Sequence, residues 1–227
     1  MTELIDKTQH YVASLLKMEA SGHDWWHTQR VTQMALRLAK VETQSINTEV
    51  IVLAALLHDV EDYKSSGSEE AGPQVAACWL TFCDADPELI KQVVLIISTM
   101  SFKGQVDRPM ATKEGMIVQD ADRLDAVGAI GIARVFAFGG AHHREIFNPE
   151  IPFEVNLSPN DYKDKTRPTA SLNHFYEKLL KLDMHYNMAL ANEIGHQRHL
   201  FMLAYVSQFL NDCEAQDSEY ARYLNLD

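Results

Sequence analysis

Apolar residues recur along nearly the whole chain at the three- and four-residue spacing of a helix face. Leu4, Tyr11 and Leu15 mark one such face, and Val31, Met34, Ala35 and Leu38 mark a second. No segment alternates convincingly with a period of two, so no strand is predicted. A third helix, with its cap in the stretch 45–48, runs through Leu57. A fourth begins near Ser68 and a fifth at Pro87, the latter carrying "LIKQVVLIISTM". Gly104, Pro109 and Gly115 in "SFKGQVDRPMATKEG" then break the period and predict a loop.

The pattern resumes near Met116 in one helix that carries "IVQDADRLDAVGAIGIARVF". Its Gly128 and Gly131, with Ala126, Ala129 and Ala133, predict a side on which a neighbouring helix can lie close. Residues 138–168 read as a loop suited to a lid or a partner contact. Two more helices are predicted at about Ser171 to Leu182 and Met184 to Cys213. The fold class is therefore all-α, a single domain over 1–227. Its helical core spans about 20–140 and a C-terminal helical extension about 169–213.

Composition narrows the ligand classes. Twenty basic against 32 acidic residues give a net charge of -12, which opposes binding to nucleic-acid polymers or anionic membranes. The N-terminal segment places Glu3, Asp6 and Lys7 among its apolar residues, so it has no secretory apolar region. The apolar run Ile51 to Leu57 is far short of the roughly 20 residues that span a bilayer. A soluble, cytoplasmic protein is expected, in which Cys78, Cys83 and Cys213 are reduced and mostly buried thiols.

One stretch disturbs this ordinary picture. In "AALLHDVED" an apolar helix runs straight into His58, Asp59, Glu61 and Asp62. Burying such charges costs several kcal/mol unless solvent, a partner or a metal compensates them. Ligand-type side chains also gather in "SGHDWWHTQRV", with His23, Asp24 and His27, and in "VQDADRLDAV", with Asp120, Asp122 and Asp125. Asp122 and Asp125 share a helix face while Asp120 points elsewhere, and Arg123 offers an ion pair in place of a metal. Taken together, His27, His58, Asp59 and Asp122 supply two imidazoles and two carboxylates from three helices. That mixture suits one divalent ion such as Mn²⁺, Mg²⁺, Fe²⁺, Co²⁺ or Ni²⁺. The chain lacks a HExxH pair and a cysteine ligand group, which disfavours structural zinc.

His27, then "HD" at 58–59, then the aspartate of "ADRL" at 121–124 resemble the HD-domain superfamily of metal-dependent phosphohydrolases. The longer wording "GHDWWHTQRV", "LLHDVED", "MSFKG" and "VQDADRLDAVGAIGIARVFAFGG" is similar to small bacterial members thought to act on nucleotides. The resemblance implies that His27, His58, Asp59 and Asp122 bind one divalent metal. Where several such proteins carry an additional histidine, this chain has "ISTMSF", which argues against a second ion.

The expected activity is hydrolysis of a phosphoester or phosphoanhydride bond in a small nucleotide, with loss of pyrophosphate from a nucleoside triphosphate the leading form. A nucleoside monophosphatase and a non-catalytic, metal-containing nucleotide sensor are the alternatives. Alarmone hydrolysis ranks below these, because Asp125-Ala126 stands where that hydrolase has "HN". Asp62, three residues beyond Asp59, is the candidate general base, ahead of Glu61. Arg30, one turn after His27, and Lys103 are candidate phosphate contacts, followed by Arg108, Lys113, Lys163, Lys165 and Arg167. Trp25, Trp26 and Phe102 offer stacking surfaces, and His142, His143 and Arg144 form a further polar group. A second copy of the chain is the other partner that the acidic surface leaves open.

Overall fold

A computed structural model describes residues 2–17, 22–60, 70–100, 110–158, 161, 164 and 166–224. Among the described residues there are ten α-helices and no strand: α1 (Glu3–Leu15), α2 (Trp25–Ala39), α3 (Thr48–Leu57), α4 (Ala71–Phe82), α5 (Pro87–Thr99), α6 (Lys113–Asp125), α7 (Gly128–Ala141), α8 (Asn173–Glu177), α9 (Ala189–Asp212) and α10 (Glu219–Leu224). The all-α class predicted from the apolar spacing is thus the class observed.

Side-chain acceptors set several helix starts. Thr2 accepts from the Ile5 amide, Asp24 from His27, Asn47 from Glu49 and Val50, Asp86 from Glu88 and Leu89, and Thr112 from Gly115. Each bond satisfies a donor that the first helical turn leaves without an intrahelical partner. Every residue of α3 from Val50 to Leu57 is buried, because α1, α2, α5 and α6 pack around it. A helix without a polar face belongs at the centre of a bundle, and its C-terminal end delivers His58 and Asp59 into the interior.

The predicted long helix from Met116 is in fact two. Helix α6 starts earlier, at Lys113, and ends at Asp125, and α7 leaves it at a bend of 71°. Gly128 has φ +76, a left-handed conformation that costs a residue with a Cβ. The turn is so tight that a Cβ on Gly131 would stand 2.2 Å from the Ala126 carbonyl oxygen. These glycines serve the bend, which periodicity cannot reveal because the apolar spacing continues on both sides. Gly131→Ala is expected to lower stability by about 1–3 kcal/mol, since a backbone carbonyl cannot move aside as a side chain can. A midpoint unchanged in urea denaturation would refute the close approach.

The C-terminal half also departs from expectation. Helix α7 runs on to Ala141, so the irregular stretch starts later than 138. The helix expected over Ser171 to Leu182 is the five-residue α8 and a 3₁₀ turn, Leu179–Leu182, separated at Lys178, where φ is -140. Helix α9 starts at Ala189 rather than Met184, and α10 follows it unannounced. An aromatic cluster joins these pieces: Phe153 stacks on Tyr176 at 4.3 Å, and the Tyr220 hydroxyl donates to Asn173 Oδ1 at 2.8 Å. Asp120 ties the segment before α9 to α6 by accepting from the Asn187 and Met188 amides at 2.9 and 2.8 Å.

The thiols are not mostly buried as expected. Cys78 and Cys213 are exposed and Cys83 is half-buried. Helix α4 turns Gly72, Ala76 and Leu80 inward, which leaves Cys78 on the outer side, and Cys213 caps the exposed end of α9. Among the described residues no single helix is long and apolar enough to cross a membrane.

Candidate metal centre

Three helices meet where α3 ends. His27 lies in the first turn of α2, held there by the Asp24 cap, and its side chain is fully buried. His58 and Asp59 follow the last turn of α3, and Asp122 projects from α6. The His27 and His58 Nε2 atoms are 3.3 Å apart. Asp59 Oδ2 is 3.1 Å from the first and 3.5 Å from the second, while Asp122 Oδ1 is 3.6 and 3.7 Å from them. One ligand atom from each of His27, His58 and Asp59 lies within 4.8 Å of the others.

These separations fit a shared ion. With bonds of roughly 2.1 Å, neighbouring ligands around an octahedral ion stand roughly 3 Å apart and opposite ones roughly 4.2 Å apart. An independent sign is that Asp59 Oδ2 is buried and makes no hydrogen bond among the described residues. A buried carboxylate oxygen without a donor is costly unless a cation faces it, a role that a bound metal ion or a protonated His58 at 3.5 Å can fill. Asp122, at 36% side-chain exposure against 14% for Asp59 and 4% for His58, marks the side on which the cluster opens.

Both imidazoles are fixed from behind. His58 Nδ1 lies 2.8 Å from the Ala55 carbonyl and His27 Nδ1 lies 2.7 Å from Asp125 Oδ2. A carbonyl oxygen can only accept, and the ionised Asp125 likewise, so each Nδ1 carries the proton and donates it. In the neutral ring that leaves each Nε2 lone pair facing the cluster, as a ligand must. Asp125 is itself held by Arg30, through Nε at 2.8 Å and Nη2 at 3.0 Å, and by Arg134 Nη1 at 3.2 Å.

Charge balance in the metal-free cluster falls on His58. Burial alone would make it harder to protonate, but the Asp59 and Asp122 carboxylates outweigh burial and raise its pKa to about 9. Burial likewise opposes ionisation of Asp59 and Asp122, and the surrounding imidazoles overcome it, holding both below the ordinary carboxylate value. Asp125 is brought down to about 2, against burial, by hydrogen bonds from His27 and Arg30.

A metal must displace the His58 Nε2 proton, so metal uptake should release about one proton per chain near neutral pH, with affinity rising up to about tenfold per pH unit until about pH 9. Calorimetric titration in two buffers of different ionisation enthalpy reads this directly, and equal heats in both would contradict it. The same proton links stability to pH. The folded pKa lies above the unfolded value of about 6.5, so its contribution is complete below that pH. It is lost as pH rises through about 9.

Other residues singled out in the sequence fall in different places. Asp62, Glu61, Phe102, Lys103, Arg108, Lys163 and Lys165 lie outside the described residues. Arg30 is engaged with Asp125, Lys113 lies 3.5 Å from Glu42, and Arg167 pairs with Glu177 at 2.9 Å. Trp26 is exposed whereas Trp25 packs against the core. His142 stacks on Phe138 at the end of α7, and Arg144 covers the same ring. Arg123 donates to the His185 carbonyl, and the arginines that close on Asp125 are Arg30 and Arg134. Arg134 had no signal in the sequence. In one straight helix it would lie roughly 14 Å beyond Asp125, and only the bend after α6 returns it.

Fold and cluster agree with the comparisons to known proteins. The HD domain family model matches residues 25–127, which include all four residues of the cluster. The chain is 33% identical over 216 residues to the uncharacterized protein YpgQ of Bacillus subtilis (strain 168), covering 94% of this chain and 96% of that one. It belongs to the HD-domain family.

Solved structures are similar over nearly the whole chain. A Lactobacillus plantarum protein matches with TM-score 0.83 and 34% identity, covering 95% of this chain and 99% of that one. An HD-superfamily hydrolase from Bacillus thuringiensis matches with TM-score 0.66 and 43% identity, at coverages of 93% and 97%. Bacillus subtilis YpgQ in complex with ADP matches with TM-score 0.67 and 32% identity, at coverages of 92% and 97%.

Proposed function

We propose that the protein hydrolyses a phosphoester or phosphoanhydride bond in a small nucleotide at the His27, His58, Asp59 and Asp122 cluster, using one divalent ion. The observation that carries this reading is the convergence of two Nε2 atoms and two carboxylates from three helices, with Asp59 Oδ2 buried and undonated. Membership of a family that includes an HD-superfamily hydrolase supports the reaction class, and the ADP complex of YpgQ supports the ligand class.

When bound, a divalent ion supplies Lewis-acid polarisation of phosphoryl oxygens and lowers the pKa of coordinated water. The chain's own residues do the rest. His27 and His58 offer Nε2 because Asp125 and the Ala55 carbonyl hold Nδ1–H. Asp122, on the open side, leaves room for a phosphate to approach. Asp62 is assigned to take the proton of the attacking water, and Lys103 to pair with phosphate oxygens. Arg30 keeps N–H groups beyond those used on Asp125, and a phosphate contact through them belongs to the same proposal.

Pyrophosphate release from a nucleoside triphosphate is the preferred form. A panel of nucleoside mono-, di- and triphosphates incubated with Mn²⁺, with separate detection of pyrophosphate and orthophosphate, decides it. Pyrophosphate from triphosphates supports the proposal. Orthophosphate from monophosphates alone replaces it with the phosphatase reading, and no turnover by metal-loaded protein replaces it with a non-catalytic nucleotide sensor.

A further inference from the structure

Behind the metal centre, on the Nδ1 side of His27, lies a second concavity. A cleft of about 720 Å³ separates α2 from α9, with the α6–α7 bend as its floor. Cavities of roughly 300–1,000 Å³ accommodate small molecules. Asp125 forms part of the wall, so the carboxylate that orients His27 is shared between the metal centre and the cleft.

The lining has two characters. Met34, Val127, Ile194 and the half-exposed rings and chains of Phe201 and Ile130 make an apolar surface. Arg30, Arg37 and Arg198 line the same space. Arg30 is matched by Asp125, and Arg198 gives one N–H to the Leu124 carbonyl. Arg37 takes part in no ion pair among the described residues. Burial and then the nearby positive charge of Arg37 are the effects that hold the Arg198 pKa below the usual arginine value, against the pull of Asp125. Glu193, an exposed residue, lines the same cleft.

The first turn of α7 adds to this bias. Gly128, Ala129 and Ile130 line the cleft, and their cap, Val127, has no side-chain acceptor to give their amides. In a chain of net charge -12, a concave, largely apolar wall with two mutually repelling guanidinium groups is complementary to an anion carrying an apolar body.

We propose that this cleft is an effector site for a small organic anion with a flat apolar body, and that its occupation tightens metal binding through Arg30 and Asp125. An anion in the cleft competes for the Arg30 guanidinium. Asp125 is then left with more of its charge on the His27 Nδ1–H, and His27 Nε2 becomes the stronger donor to a metal. By linkage, metal must tighten the anion by the same factor.

The probe is 8-anilinonaphthalene-1-sulfonate, whose sulfonate and aromatic rings match the two parts of the lining. Titration of the full chain, followed by dye fluorescence, should show one site per chain. Arg37→Glu and Phe201→Glu, both at accessible positions, should each weaken it at least tenfold with unchanged circular dichroism. Dye at saturation should raise Mn²⁺ affinity at least threefold in the wild type and leave it unchanged in Arg37→Glu.

Dye binding that survives both substitutions overturns the site, and binding without a change in Mn²⁺ affinity overturns the coupling. Competitive displacement of the dye by a nucleotide would make the cleft the substrate's own pocket. A dimer in sedimentation velocity that Phe201→Glu dissociates would make it an interface between two copies. None of these readings uses turnover, so a failed hydrolysis assay leaves them intact.

Discussion

Asp59→Asn is expected to strip the protein of its metal while leaving the helices folded. Asp59 Oδ2 is the carboxylate oxygen nearer to both imidazoles, at 3.1 and 3.5 Å, and it is buried with no hydrogen bond among the described residues. An amide in its place keeps the shape but removes the negative charge that attracts both a cation and the His58 proton. Changing partners outside the ligand set costs roughly 10–100-fold in metal affinity, so loss of a ligand charge should exceed that range. Elemental analysis after purification and Mn²⁺ titration measure the loss, and hydrolysis should fall with the metal content. Wild-type affinity in this variant would remove Asp59 from the ligand set.

The same variant should alter the pH profile of the metal-free protein. Without Asp59, His58 loses the larger of the two carboxylate attractions that outweigh burial, and its pKa falls from about 9. The wild-type loss of stability between about pH 6.5 and 9, on the order of 3 kcal/mol, should then shrink. Denaturant midpoints for the two proteins across that window give the comparison.

Much of this architecture is legible in one sequence because each early helix writes its own face. Val31, Ala35 and Leu38 are buried where the spacing puts them, and the all-apolar α3 is central for the same reason. The site was legible through a conflict. Ionisable groups that interrupt apolar helices need compensation, and His58, Asp59 and Asp122 all carry that mark.

What local pattern cannot convey is the path of the chain between faces. The 71° bend leaves the apolar period intact, yet it decides that Arg134 reaches Asp125. Asp122 and Asp125 likewise share a helix face, and spacing alone leaves either one as the ligand. His27, about a hundred residues earlier, distinguishes them by presenting Nε2 toward Asp122 and Nδ1 to Asp125. The exposed thiols make the converse point, since residue type alone favoured burial and helix orientation overruled it.

Asp125→Ala should show how much the support behind His27 matters. The carboxylate is 7% exposed and accepts from one imidazole and two guanidinium groups. Its removal leaves Arg134, at 15% exposure, without that partner, while Arg30, at 36%, can turn to solvent. Breaking a buried pair costs about 3–5 kcal/mol, and the exposure of Arg30 places the expected loss toward the lower bound or somewhat below it, about 2–3 kcal/mol. The acid limb of the stability curve supplies a sharper signature. Asp125 is held at about 2 in the folded protein, below the unfolded carboxylate value of about 4, so its stabilisation is present above about pH 4 and disappears as pH falls toward 2. Asp125→Ala should flatten that limb. Metal affinity should fall by roughly 10–100-fold, because His27 loses the acceptor that fixes its Nδ1–H tautomer. With Co²⁺ as a probe, the visible absorption should shift as the His27 ring reorients. A variant with unchanged Co²⁺ spectrum and affinity, yet lower stability, would reduce Asp125 to an anchor for two arginines and separate it from the metal centre.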